Sequence, residues 1–267
     1  MLRVIEVALL LLVGQALAPG AAPAQSEADV TTPAAVPVGP GERLEYDVSL
    51  GAVHVGNGSF RVAGIDTVRG HATYRLEMRL HGGITFVKVD DDMASWLDVV
   101  SLVSRRFQQD QKEFRYKRRR TLEFFPEEKR YFQPDKNEHG SIATDKPLDD
   151  ISFVYYARTL PLEVGQVYTL DRYFDPAGNP VTIKVLRRDT VTVPAGTFAT
   201  IVVQPVIQTK GLFGQGGRDE IYFTDDDRRL VVQVRSRVPV VGNLNMYLKS
   251  WTPGERLTAG WSPRAQR

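Results

Sequence analysis

Residues 43–50 read Arg43-Leu44-Glu45-Tyr46-Asp47-Val48-Ser49-Leu50, polar and apolar in strict alternation. Side chains leave a β-strand on opposite faces with a period of two, so Leu44, Tyr46, Val48 and Leu50 share one face and Arg43, Glu45, Asp47 and Ser49 the other. A helix would scatter those four apolar residues around its circumference. The alternation returns in Tyr74, Leu76, Met78 and Leu80 against Thr73, Arg75, Glu77 and Arg79, and again in Leu230, Val232, Val234 and Val238. Strands of this kind bury one face and wet the other, as in an antiparallel sheet.

Working outward, turn-forming residues stand at Gly56-Asn57-Gly58, Arg69-Gly70, Pro134 to Asn137, Pro176 to Asn179, Pro194 to Gly196 and Asp225 to Asp227. So many short connections predict a mainly β fold: a single antiparallel curved sheet or barrel. One packed helix is expected near residues 149–160, where Asp149 or Asp150 can cap the start, Ile151, Val154 and Tyr155 share a face, and Pro161 stops it. No repeat of fixed period and no break in composition divides the chain. The β-rich domain is expected over residues 41–253, between an Ala-, Pro-, Thr- and Ser-rich linker at 25–40 and a flexible tail at 254–267.

At the N-terminus Arg3 precedes an apolar run from Val7 to Val13, and small residues lead to Ala22-Pro23-Ala24. That is the layout of a secretory signal peptide over residues 1–24, cut between Ala24 and Gln25. Gly14 and Gln15 break the run well short of the ~20 apolar residues that span a bilayer, so no transmembrane segment is expected after cleavage. Arg3 and Glu6 leave together, and the net charge stays at +2, which names no partner. The chain has no cysteine, which excludes a disulfide framework, thiol catalysis, thiolate metal sites and a lipid anchored on cysteine. Stability must come from buried apolar surface. A periplasmic location is the expectation.

Catalytic constellations are missing. His54, His71, His81 and His139 are scattered, with no pair at the helical i, i+4 spacing of a metal motif, and neither a metal nor a cofactor is expected. Gly211-Leu212-Phe213-Gly214-Gln215-Gly216-Gly217 lacks the Lys-Ser/Thr of a phosphate-binding loop and reads as a hairpin loop. Asp225 to Asp227 sit at a hairpin tip, whereas Asp90 to Asp92 lie along a strand. An envelope hydrolase using Asp90 to Asp92 would still need a positioned nucleophile, base or metal set, and none accompanies them. No enzyme is expected.

The most charged segment is Lys112 to Arg120. On a strand, Phe114, Tyr116, Arg118 and Arg120 share one face and Arg115, Lys117 and Arg119 the other. Aromatic rings beside guanidinium forks suit an anionic headgroup with an acyl chain or sugar face. The same charges also suit a long exposed strand that resists edge-to-edge pairing. Nucleic acid is not an expected partner, because Glu113, Glu123, Glu127 and Glu128 dilute the positive potential. Leu212 and Phe213, on the glycine-rich loop, either meet a membrane or gate a cavity, or else fold back onto the sheet.

Several pieces in order carry a family resemblance: Gly41-Glu42-Arg43-Leu44-Glu45-Tyr46; Asp149 to Arg158 with Val164-Gly165 after it; Val193-Pro194-Ala195-Gly196-Thr197-Phe198; and Ile221 to Asp226 followed by Arg228-Arg229-Leu230. Over roughly residues 40–252 the chain resembles the bacterial exported family called domain of unknown function 3108. Leu230-Val231-Val232 departs from it where a proline would follow the basic pair. The resemblance implies an exported β-rich protein and brings no catalytic residues. More loosely, it implies a curved sheet with an internal helix like that of periplasmic lipoprotein carriers, whose concave face takes acyl chains.

Two functions are therefore expected in competition. The first is a non-enzymatic binding or carrier module for an acyl-chain-bearing or amphipathic envelope component, held by Phe114, Tyr116, Arg118, Arg120, Leu212 and Phe213. The second is a scaffold or assembly factor that contacts an outer-membrane or cell-wall protein partner.

Overall fold

The computed structural model describes residues 36–84, 87–113, 116–207, 219–238 and 242–257. A first meander contains β1 (Arg43–Leu50), β2 (Val53–Val68), β3 (His71–Ile84), β4 (Val87–Asp98), β5 (Ser104–Glu113), β6 (Tyr116–Phe125), β7 (Arg130–Gln133) and β8 (Glu138–Ser141). The helix α1 (Asp150–Ala157) follows. A second meander contains β9 (Val167–Leu170), β10 (Val181–Val193), β11 (Gly196–Val206), β12 (Glu220–Thr224), β13 (Val231–Val238) and β14 (Gly242–Thr252). The last strand, β14, pairs antiparallel with the first, β1, and joins the meanders into one 14-stranded sheet. Its order, β8-β7-β6-β5-β4-β3-β2-β1-β14-β13-β12-β11-β10-β9, leaves β8 and β9 as edges, so the sheet does not close. It curves strongly: Ala195, in the β10–β11 turn, donates its N–H to the carbonyl of Leu248 on β14 at 3.0 Å, across two intervening strands.

The alternation that predicts the sheet is met in the burial. Leu44, Tyr46 and Val48 are core residues, and so are Tyr74, Leu76 and Met78. Arg69-Gly70 turns with positive φ at both residues, and Asp225 to Asp227 lie in the connection from β12 to β13. Gly56-Asn57-Gly58 is not a turn but lies inside β2, and the first hairpin reverses at Gly51-Ala52 instead. The glycine is required by close approach: a Cβ on Gly56 would fall 2.2 Å from the carbonyl oxygen of His81 on β3.

The helix forms where Asp149 and Ser152 make a reciprocal capping box, the Asp149 carboxylate accepting from the N–H groups of Ile151 and Ser152 at 3.0 Å. One apolar face was expected, yet every residue from Asp150 to Ala157 is buried, because the helix lies within the curve of the sheet against β3 and β4. Arg158, at its C-terminus, is itself buried. It grips the buried Glu42 with both ends of its fork, at 2.6 and 2.8 Å, and donates to the carbonyls of Arg228 and Pro37 at 2.9 and 3.3 Å. Residues 36–40, which composition assigns to the linker, pack on the domain: Val38 is a core residue, and the Pro40 carbonyl accepts from Glu255 N–H at 2.9 Å. An apolar side chain with a core contact outweighs the low-complexity pattern around it.

At the end of the sheet holding the β4–β5 connection, carboxylates brace the turns. Asp98 accepts from the N–H groups of Val100 and Ser101 at 2.9 and 3.0 Å, and Arg105 bridges it to Glu127. Burial alone would raise the Asp98 carboxyl, but those N–H groups and the Arg105 guanidinium outweigh it and hold it below its ordinary value. Burial is likewise overcome at Glu127 by Arg105, and at Asp226 by Arg228 and Thr224. Folded values below the unfolded ones mean stability that is present above the ordinary carboxylate range and lost as pH falls through the folded values. Melting temperature is expected to drop on acidification below about pH 4, and Asp98→Asn, which keeps the turn's acceptor but does not titrate, to flatten part of that drop.

Candidate functional site

Directly opposed residues of antiparallel strands share a face, so the register of β3 to β6 sorts the charged segment into two surfaces. Met78, Met93, Gln109 and Arg120 form one cross-strand row, and Leu80, Asp91, Gln111 and Arg118 the next on the same side. This is the concave side: Met78 and Met93 belong to the core that includes α1. Arg79, Asp92, Asp110 and Arg119, like His81, Asp90, Lys112 and Lys117, face outward.

Arg118 and Arg120 therefore share the concave face, as strand periodicity predicts. Both are half-buried. The guanidinium of Arg120 lies 5.7 Å from the ring centre of Phe107 and 5.5 Å from that of Phe174, and its Nε donates to the Gln109 side-chain oxygen at 3.0 Å. Phe174 precedes β10 and is ringed by Phe107, Phe124 and Tyr173 at 4.8 to 6.4 Å. Arg120 thus spans from β6 to the segment between β9 and β10. Arg118 has no ion-pair or hydrogen-bond partner among the described residues. The buried Asp91 carboxylate beside it accepts from Lys112 N–H at 3.2 Å and from the Gln111 amide at 3.4 Å. Tyr116 stands opposite Glu113 at the start of β6, whereas Phe114, Leu212 and Phe213 lie outside the described residues.

Periodicity on β5 puts Phe107, Gln109 and Gln111 in phase with one another, a signal that could have added them to the site. Phe174 carried none, because it reaches Arg120 from a remote connection. The structure also brings together what spacing could not: His81 Nδ1 lies 2.5 Å from Asp90 and its Nε2 3.7 Å from Asp92. Their donor atoms fall within 4.8 Å of one another, on the outer face. Lys112, 3.6 Å from Asp90, and Arg79, 3.2 Å from Asp92, already neutralise both carboxylates, which makes this an ion-pair network. Beside it a polar outer groove of about 340 Å³ runs between Arg75, Glu77, Ala94, Gln108 and Thr121. On the other half of the sheet Arg187 forks onto Glu220 at 3.0 and 3.1 Å, and the Tyr222 hydroxyl donates to Glu220 at 2.7 Å. Burial, then that bond to Glu220, pushes the Tyr222 hydroxyl up to about 12. The Tyr222 hydroxyl in turn accepts from Arg187 at 3.0 Å, so the cluster ties β10 to β12.

No curated protein matches the chain. Among solved structures, a β-barrel-like protein of the domain of unknown function DUF1849 from Brucella abortus superposes with a TM-score of 0.50 at 11% identity, covering 83% of this chain and 100% of that one. At that identity the likeness is one of fold alone. A protein of YmcC-like fold from Bacteroides fragilis covers 81% of this chain and 97% of its own at 9% identity, with a TM-score of 0.28. The family described as Protein of unknown function (DUF3108) matches residues 45–249, from β1 to β14 and through α1 and the Arg118–Arg120 row. Spanning most of the chain and nearly all of the sheet, that match makes the protein a member of the DUF3108 family.

Proposed function

We propose that this is an exported, non-enzymatic binding module of the bacterial envelope that holds an anionic amphipathic component, a headgroup with an acyl chain, at the open end of its concave face. The observation that carries the reading is Arg118: a half-buried guanidinium on the concave side, with no partner among the described residues. A guanidinium half withdrawn from water gains by finding hydrogen-bond acceptors, and a phosphate or carboxylate headgroup supplies the two oxygens its fork fits. Leu80, only partly buried, lies on the same face in the same cross-strand row and offers apolar contact to a chain, and Arg120 braces the wall over Phe107 and Phe174. The cap of α1 is bonded to Ser95 and Ser104, and Arg118 stands toward the other end of the neighbouring strands, so the ligand belongs at the end away from the helix cap. The N-terminal layout of Arg3, Val7 to Val13 and Ala22-Pro23-Ala24 supports the export half of the reading.

Native mass spectrometry of protein purified from a bacterial envelope is expected to show a lipid-sized adduct, and added lipid to raise the melting temperature. Arg118→Ala is expected to weaken that binding on the order of tenfold to a hundredfold, the worth of a charged hydrogen-bonding anchor. A protein that always emerges free of ligand, with a melting temperature indifferent to lipid, overturns the reading.

A further inference from the structure

On the second meander the outer face of the sheet carries a buried amide. The core residues Val48, Met246, Val234 and Ile221 oppose one another across β1, β14, β13 and β12. The alternating row Ser49, Asn245, Arg235 and Glu220 therefore faces outward, away from the side that Arg118 occupies. A groove of about 460 Å³ opens on this row, lined among others by Asn243, Asn245, Tyr247 and Arg235. That volume suits a small ligand. Asn245 is only 7% exposed, and its side-chain amide has no hydrogen-bond partner among the described residues. An amide buried without a partner costs about 1–3 kcal/mol, a penalty that an apolar residue would avoid and a ligand would relieve.

The rest of the lining narrows the ligand. Asn243, two residues away on the same face of β14, repeats the amide, and two such groups offer the donors and acceptors that neighbouring hydroxyls require. Tyr247, next in the same alternation and half-buried, supplies a ring against which the C–H face of a sugar can lie. None of the lining residues is aliphatic, which disfavours an acyl chain. The strands beneath, β11 to β14, are each paired on both sides, which leaves no edge for an extended peptide. Arg235 sets the charge. Its guanidinium lies 5.2 Å from the ring centre of Tyr222 and has no ion pair or hydrogen bond among the described residues. Glu220 stands opposite, but its two oxygens already accept from Arg187 and the Tyr222 hydroxyl. We propose that this groove binds an acidic saccharide, Asn243 and Asn245 pairing with its hydroxyls, Tyr247 lying against its ring and Arg235 meeting its carboxylate or phosphate.

Ligand-observed NMR titrations with digalacturonic acid, maltose 1-phosphate, maltose and inorganic phosphate test it. At least one of the two acidic sugars is expected to bind about tenfold more tightly than maltose, and the tighter of them names the acidic group. Arg235→Gln is expected to remove that tenfold preference and leave maltose unchanged. Asn245→Leu is expected to weaken all three sugars by about threefold to tenfold without lowering the melting temperature, since the free protein loses no hydrogen bond. Arg235 is exposed, so its variant tests the groove whatever Asn245→Leu does to the fold. No binding of any sugar, acidic sugars held no better than maltose, or inorganic phosphate held as tightly as the acidic sugars overturns the proposal. So does an Asn245→Leu protein that melts several degrees lower yet binds like its parent, the mark of a purely structural amide. Arg118→Ala is expected to leave saccharide binding intact, which separates this groove from the concave face.

Discussion

Arg158→Met is expected to destabilise the fold by about 3–5 kcal/mol, the cost of leaving a buried charge without its partner. For a domain of this size that corresponds to a melting temperature lower by roughly 6–20 °C. Arg158 and Glu42 are both nearly inaccessible to water, and the fork between them is bidentate. Arg158 also ties the end of α1 to the Pro37 segment and to the β12–β13 turn at Arg228, so its removal loosens three regions at once. Its Nε has no hydrogen-bond partner among the described residues, which places its worth in the two terminal nitrogens. The double variant Glu42→Leu/Arg158→Met removes both charges and is expected to recover much of the loss. Recovery should be incomplete, because the carbonyls of Pro37 and Arg228 lose their donor. Thermal and urea unfolding measure both effects, and a single variant melting within a degree or two of the parent would refute the account.

Asp149→Ala is the second large effect, expected at about 3–5 kcal/mol from a lost helix cap and two buried hydroxyls deprived of their acceptor. Asp149 is fully buried. Besides capping α1, it accepts from Ser95 on β4 at 2.6 Å and from Ser104 on β5, and so pins the helix to the sheet. Asp149→Asn keeps an acceptor for the cap and should cost much less. Its pH dependence has a definite sign. Burial raises the Asp149 carboxyl above its ordinary value, against the pull of Ser104, Ser95 and the Ser152 N–H. Between the unfolded and the raised folded value the folded protein holds more protons, so this group's contribution to stability falls as pH rises through that window. The deficit of Asp149→Asn relative to its parent is therefore expected to be larger in acid than at neutral pH, the opposite trend to Asp98→Asn.

Much of this fold is legible because it is local. Alternation from Leu44 to Leu50 and from Tyr74 to Leu80 marks strands, and Asp149 or Asp150 ahead of an apolar face marks a helix start, since each depends on residues a few positions apart. Gly56-Asn57-Gly58 misleads for the same reason: a glycine that permits a turn and a glycine that permits close packing look alike in sequence, and only the neighbouring His81 backbone tells them apart. At the candidate site, periodicity placed Arg118 and Arg120 on one face but could not say which face was concave, nor that Phe174 would meet Arg120.

Near neighbours along the chain set the strands, the capped helix and the segregation of cations along β6, because periodicity and capping are written within a few residues. Long-range packing settles that β14 pairs with β1, that Arg158 finds Glu42 116 residues away, and that Arg118 faces inward while Lys117 and Arg119 face out. Those choices depend on which distant surfaces bury the most apolar area while satisfying every polar group brought with them, and that competition is settled in three dimensions.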